Sequence, residues 1–185
     1  MNPRIVCLGE LLWDLLPTGP QLGGAPANLA CHVQALGGVA SLVSRVGNDA
    51  LGHRAVAALA QRGVDVTAVS VDPTLPTGTV GVELDADGHA HYEIHTPVAW
   101  DALEVDPTAM SRVAHADAVC FGTLAQRHPT SRQTIRTLLE AGRAARLRLC
   151  DINLRAPHFD RAVIEDSLQW ANALKLNETE LPVVC

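Results

Sequence analysis

The chain has 185 residues, of which 48% are hydrophobic and 18% charged. That length is enough to bury a real core in one domain, and that composition excludes a disordered chain. A formal net charge of -6 with no local Lys/Arg cluster argues against nucleic acid or an anionic membrane as partner.

The N-terminus "MNPRIVCLGE" holds one short apolar run and no cleavage site, so it is not read as a signal peptide. No stretch approaches a membrane span. Five cysteines (Cys7, Cys31, Cys120, Cys150 and Cys185) include no CxxC, and most sit in apolar runs such as "AVCFG". They read as small buried hydrophobes of a protein in a reducing cytosol.

In chain order, "RIVCLG" predicts a buried strand and Pro26 to Leu36 a helix opened by a glycine pair. "ASLVSRVG" is a strand, Ala50 to Gln61 a helix stopped by Gly63, and "DVTAVSV" another strand. "AVCFGTL" follows as an apolar strand. The helix over "PTSRQTIRTLLEAGRAAR" places Ile135, Leu138, Leu139 and Ala145 on one face, with Thr130 or Ser131 as N-cap. "LRLCDIN" is a strand, Arg161 to Ala173 a helix, and "LKLN" a last strand. Near-continuous apolar strands alternating with amphipathic helices predict a parallel sheet with helices on both faces.

Two stretches break the alternation. "ELLWDLLP" follows the first strand without a helix, and "TGTVGVELDADGHAHYEIHT" reads as a hairpin around Asp87-Gly88. Together they predict a small antiparallel sheet projecting from the strand ends as a lid, with an edge hairpin as the plainer alternative. In the second arm His89, His91, Glu93 and His95 alternate onto one face. That row has metal-ligand chemistry, but strand alternation alone produces such rows, and a polar outer face with Ala90, Tyr92 and Ile94 turned inward is the preferred reading.

Polar clusters recur at the element junctions. "GGAPANLA" (23–30) combines two glycines, which permit close backbone approach, with Pro26 at a first helical turn and the Asn28 amide. It lacks the spacing of a dinucleotide fingerprint or of a P-loop. Asp14 lies in a mostly apolar segment, where its carboxylate is either an exposed strand residue or an acceptor for two hydroxyls. "DINLRAP" sets Asp151, Asn153 and Arg155 at the end of a buried strand, where open α/β sheets gather ligands. "LKLNETE" repeats the pattern one strand later with Lys175, Asn177, Glu178 and Glu180.

The segments "GELLWDLLP", "GGAPANLACHVQALG", "SRVGNDALGHRAVAAL", "PTGTVGVELDADG", "VAWD", "FGTLAQR", "DINLR" and "LKLNETEL" together resemble the ribokinase-like (PfkB) carbohydrate kinases, and among them fructokinases most. The resemblance runs over the whole chain. It implies a ribokinase-like three-layer α/β/α sheet with a small antiparallel β lid. Residues 1–185 form one partial domain of this kind, with lid strands at about 9–18 and 78–100 and the C-terminal part of the fold missing. It implies ATP-dependent phosphorylation of a sugar hydroxyl, most naturally that of fructose, with ATP and Mg²⁺ as cofactors. Independently of the resemblance, a small exposed lid sheet needs covering and Val80, Val82 and Leu84 form one apolar stripe, so a homodimer through the lid is expected in the full-length form; the cysteine usage points to the cytoplasm.

Residue by residue, the resemblance implies that Asp14, Gly24 and Asn28 bind the sugar and that Trp100 covers it. Arg155 lies near the sugar or the transferred phosphate and is a possible catalytic residue. Lys175, Asn177 and Glu180 handle the ATP phosphates, Glu180 through indirect organisation of Mg²⁺. One departure stands out. The family's later Gly-Ala-Gly-Asp stretch, which carries the general base and the anion hole, does not occur in these residues. The chain alone is therefore expected to be inactive. A kinase for another sugar or for a keto-deoxy sugar acid, and a truncated non-catalytic sugar-binding module, remain open alternatives.

Overall fold

The apolar runs of the sequence become buried parallel strands. The computed structural model describes residues 2–84 and 90–184. Its strands are β1 (Arg4–Leu8), β2 (Leu12–Leu16), β3 (Gly19–Gly23), β4 (Val39–Gly47), β5 (Asp65–Asp72), β6 (Gly78–Leu84), β7 (Ala90–Ile94), β8 (Ala118–Gly122), β9 (Leu147–Asp151) and β10 (Ala173–Lys175). Its helices are α1 (Ala25–Ala35), α2 (Ala50–Gln61), α3 (Pro107–Ala114), α4 (Pro129–Ala141), α5 (Arg161–Trp170) and the short α6 (Leu181–Val184).

Six strands form one parallel sheet in the order β10-β9-β8-β1-β4-β5. Strand side chains alternate between the faces, so each face needs its own cover. On one side Val6, Leu8, Val119 and Phe121 pack with Ala109 and Val113 of α3 and with Ile135 and Leu138 of α4. On the other Cys7, Leu42 and Cys120 pack with Ala27 and Ala30 of α1 and with Ala55 and Leu59 of α2. This is the three-layer α/β/α arrangement.

Four strands form a second sheet in the order β3-β2-β6-β7. Its two outer pairings are antiparallel, as expected, and its central pairing, β2 with β6, is parallel. The parallel pair follows from connectivity: β2 and β6 are separated by two helices and two strands of the main sheet, which is crossover enough. The Asp87-Gly88 turn and His89 lie outside the described residues. Asp49 anchors the lid to the core. It caps α2 by accepting from Gly52 N–H at 2.7 Å, and it also accepts Thr77 N–H at 2.8 Å just before β6 begins.

Local chemistry departs from the sequence reading at three places. The N-cap of α4 is His128, not Thr130 or Ser131. Ser131 is buried instead, donating to the Trp100 carbonyl at 2.7 Å and accepting Leu103 N–H at 3.0 Å. The helix α3, capped by Asp106, has no counterpart in the sequence reading; its eight residues give the pattern little to show. Finally, α5 stops at Trp170 because Ala171 is already extended.

Candidate functional site

Strand addition proceeds outward from β1 through β4 to β5, then reverses through β8 to β10. A crevice opens at the carboxyl ends of the strands where such a reversal occurs. Here it is a cavity of about 550 Å³ whose wall includes Glu10 after β1, Asp14 on β2, Gly24 and Asn28 at the start of α1, and Asn153 and Arg155 after β9. The lid sheet forms its apolar side. Leu12, Asp14 and Leu16 alternate onto the cavity face of β2, and Asp14 lies in register with Val80, which pairs with Ile94.

The glycine pair serves this geometry directly. A Cβ on Gly23 would stand 2.4 Å from Asp14 Oδ2, and one on Gly24 would stand 2.4 Å from the Glu10 carbonyl oxygen. Gly24 is also at φ 103°, a conformation that side chains rarely adopt. The close approach that the glycines permit is therefore to the chain's own Asp14 and Glu10. It brings the Asp14 carboxylate beside the first turn of α1, where Pro26 has no N–H and Asn28 N–H is taken by the Gly24 carbonyl at 2.9 Å.

Asp14 is half-buried. Burial pushes its carboxyl above the usual range, and the Arg155 guanidinium opposes that shift. Asn28 and Arg155 are exposed at the rim of the cavity. A carboxylate, an amide and a guanidinium around an apolar floor suit a small polyhydroxylated ligand: the carboxylate accepts from hydroxyls, and the others donate to them.

The structure does not bring Trp100 to this cavity. Its side chain is fully buried in a 3₁₀ turn (Ala99–Ala102), with the indole packed against the backbone of Gly78 and the Arg127 guanidinium 4.0 Å from its ring centroid. A large aromatic beneath the lid is worth more as apolar area inside the core than at an open mouth. Trp100 therefore supports the lid from below rather than covering a ligand.

Lys175, Asn177 and Glu180 lie at the end of β10, beside the cavity rather than on its wall. Lys175 Nζ pairs with Asp151 at 3.0 Å. Asn177 Oδ1 accepts the N–H groups of Thr179 and Glu180, each at 2.9 Å. Glu180 is buried; its Oε1 accepts Leu154 N–H at 2.9 Å and its Oε2 accepts Asn177 N–H at 2.8 Å. Both side chains are thus committed to backbone donors, and they do not fit a direct metal site. Glu180 instead locks the 153–155 segment, and with it Arg155, to the end of β10. Among the described residues no group of three or more His, Cys, Asp or Glu could hold a metal ion.

Glu10 is the residue that sequence reasoning missed, and Asn153, noticed beside Asp151, was not assigned a role. The signal for Glu10 was a lone carboxylate directly after an apolar strand and Gly9. Burial pushes its carboxyl up to about 7.

A family profile described as "pfkB family carbohydrate kinase" matches residues 18–185. The chain is 34% identical to a fructokinase of Klebsiella pneumoniae, covering 100% of this chain and 63% of that one. It is 30% identical to a fructokinase of Escherichia coli, covering 97% and 62% respectively. The crystal structure of an uncharacterized sugar kinase, PH1459, from Pyrococcus horikoshii in complex with ATP superposes with a TM-score of 0.88 at 28% identity, over 97% of this chain and 65% of that one. The chain thus spans less than two thirds of the length of these relatives.

Proposed function

The chain belongs to the pfkB family of carbohydrate kinases, and on that premise we propose that it supplies the sugar-binding side of an enzyme that transfers phosphate from ATP to a hydroxyl of fructose. The observation that carries this reading is the convergence of Asp14, Asn28 and Arg155, from three separate elements, on one cavity at the strand ends. The names of the similar fructokinases support fructose, and the ATP complex of the Pyrococcus horikoshii sugar kinase supports ATP.

In this reading Asp14 accepts hydrogen bonds from two sugar hydroxyls, while Gly24 and Asn28 hold the sugar against the first turn of α1. Phosphoryl transfer depends on alignment and on neutralising charge. Arg155, at the rim, is the cation this reading assigns to the incoming phosphate, and Lys175, paired with Asp151, lies one strand away. Glu180 and Asn177 act indirectly by fixing the backbone between them. Mg²⁺ would arrive with ATP and neutralise its phosphates; among the described residues no group of three or more His, Cys, Asp or Glu could hold it directly. The general base belongs to the Gly-Ala-Gly-Asp stretch that these 185 residues do not contain.

Arg155 also favours a second reading, because a guanidinium on the cavity wall pairs well with the carboxylate of a keto-deoxy sugar acid. Calorimetric titration of the chain with fructose and with such an acid separates the two. Heat from fructose alone supports the first reading, and a preference for the acid moves the assignment to the second. Binding of neither would overturn the sugar site.

We place the protein in the cytoplasm, a reducing compartment that would keep the thiols of Cys7, Cys31, Cys120 and Cys150 free. We also assign the edges of the lid sheet, β3 and β7, to contact with a second copy in the full-length protein, since open strand edges call for cover. Val80 of β6 is buried within its own chain and takes no part in that contact. Light scattering on the full-length protein should show a dimer, and a monomer at high concentration would remove this contact.

A further inference from the structure

Glu10 is 1% exposed, deep at the back of the cavity between the two segments that carry the candidate sugar ligands. Its Oε1 accepts the N–H of Ala25, the first residue of α1, at 3.2 Å, and the Nδ2–H of Asn153 at 3.4 Å. Its Oε2 is buried with no hydrogen-bond partner among the described residues. Ala25 opens the helix that carries Asn28, and Asn153 stands two residues before Arg155. Asn153 is also at φ 43°, a conformation uncommon for a residue other than glycine. Asparagine is among the few residues that tolerate this region, and the bond to Glu10 helps to hold Asn153 in it.

We propose that Glu10 is the positioning residue of this site: its ionised carboxylate draws Ala25 and Asn153 together and so sets the spacing between Asn28 and Arg155, while its neutral form lets them part. This rests on the sugar-site reading above. Two observations support it. The distances of 3.2 and 3.4 Å are longer than the roughly 2.7–2.9 Å of a charge-assisted bond, so both have room to shorten on ionisation. Burial also pushes the Glu10 carboxyl up to about 7, so both charge states are populated near neutral pH.

The charged groups around Glu10 are few. Its own backbone N–H and the Ala25 N–H favour the carboxylate, Asp151 at the end of β9 disfavours it and Arg155 favours it. Asp14 faces the cavity from β2, and Lys175 on β10 is paired with Asp151. No histidine is among the described residues of the cavity wall. The tether therefore has one titrating group at its centre.

The test uses the ¹⁵N-labelled chain, wild type and Glu10→Gln, followed by NMR between about pH 6 and about pH 8. The Ala25 N–H and the Asn153 side-chain amide should shift together with one midpoint in the wild type and not in the variant. Fructose should bind about fivefold more tightly at the upper pH in the wild type, the difference between a neutral and a charged acceptor, and with no pH dependence in Glu10→Gln. The two signals moving independently, or titrating unchanged in the variant, would overturn the tether, as would fructose affinity that is flat with pH in the wild type. Shared titration without any fructose binding would support the tether and overturn the sugar assignment instead. If Glu10→Gln does not fold, the wild-type signals decide alone.

Discussion

Asp101 and Arg127 form a two-point ion pair beneath the lid: Arg127 Nε–H donates to Oδ1 at 2.7 Å and Nη2–H to Oδ2 at 2.8 Å. Both side chains are buried, the carboxylate 3% and the guanidinium 7% exposed. Nη2 also donates to the His95 carbonyl at 2.9 Å, just past β7. The pair thus ties the end of the lid to the turn that holds Trp100. Removing one partner leaves a buried, uncompensated charge, so Asp101→Ala should destabilise the chain by about 3–5 kcal/mol. Urea unfolding measures this. A loss below about 1 kcal/mol, the range of a surface pair, would show that the contact is not holding the lid.

Asp14→Ala should weaken fructose binding without unfolding the chain. Losing a charged acceptor costs about 1.5–3 kcal/mol, roughly ten- to a hundredfold in affinity. The side chain is half-buried and leaves no partner stranded inside the core, so the melting temperature should move little. Calorimetry and a thermal melt on the same preparation check both halves. Unchanged affinity would remove Asp14 from the sugar site.

Glu10 should make stability depend on pH. Its carboxyl is raised by burial from an ordinary 4.5 to about 7, so the folded chain binds this proton more tightly than the unfolded chain does. The stabilisation is fully present below about pH 4.5 and is lost as pH rises through about 7. The span corresponds to about 3 kcal/mol, as an order of magnitude. This opposes the tightening of the tether without contradicting it: desolvation of the charge costs global stability, while the hydrogen bonds to that charge strengthen locally. The difference in stability between wild type and Glu10→Gln, measured by denaturant at several pH values, should change across this window. A constant difference would contradict the buried carboxyl.

Glu180→Ala should release the segment that presents Arg155. Two backbone donors, Leu154 N–H and Asn177 N–H, lose their carboxylate. A cost of about 1.5–3 kcal/mol is expected. Hydrogen exchange at Leu154 and Asn177 should accelerate more than at core amides such as those of β1. Equal protection in variant and wild type would mean that the segment is held by something else.

The 185-residue chain by itself should not phosphorylate fructose at an enzymatic rate. A missing general base typically removes about 10²–10⁴ of rate, and a missing oxyanion donor about 10²–10³. A coupled assay with fructose, ATP and Mg²⁺ decides it. Turnover on the order of 1–100 per second, normal for kinases, would place the base within these residues.

Much of this was legible in the sequence. Alternating apolar strands and amphipathic helices dictated a parallel sheet with covered faces, because strand and helix periodicities are local properties of the chain. The end-of-strand clusters at Asp151–Arg155 and Lys175–Glu180 were visible for the same reason, as polar residues that stop an apolar run. What those residues touch was not legible. The resemblance implies that Trp100 covers the sugar, but Gly78 and Arg127, neither adjacent in sequence, make it core. The resemblance gives Glu180 an indirect part in organising Mg²⁺, but that its carboxylate accepts Leu154 N–H, 26 residues away in sequence, is visible only in the fold. Glu10 has no role in the sequence reading, because a single carboxylate after a strand carries no local pattern. Only the packing of β1, α1 and the segment after β9 around it buries it and pushes up its carboxyl. Burial and partner choice are set by contacts distant in sequence, and these exist only once the sheet has brought its strand ends together.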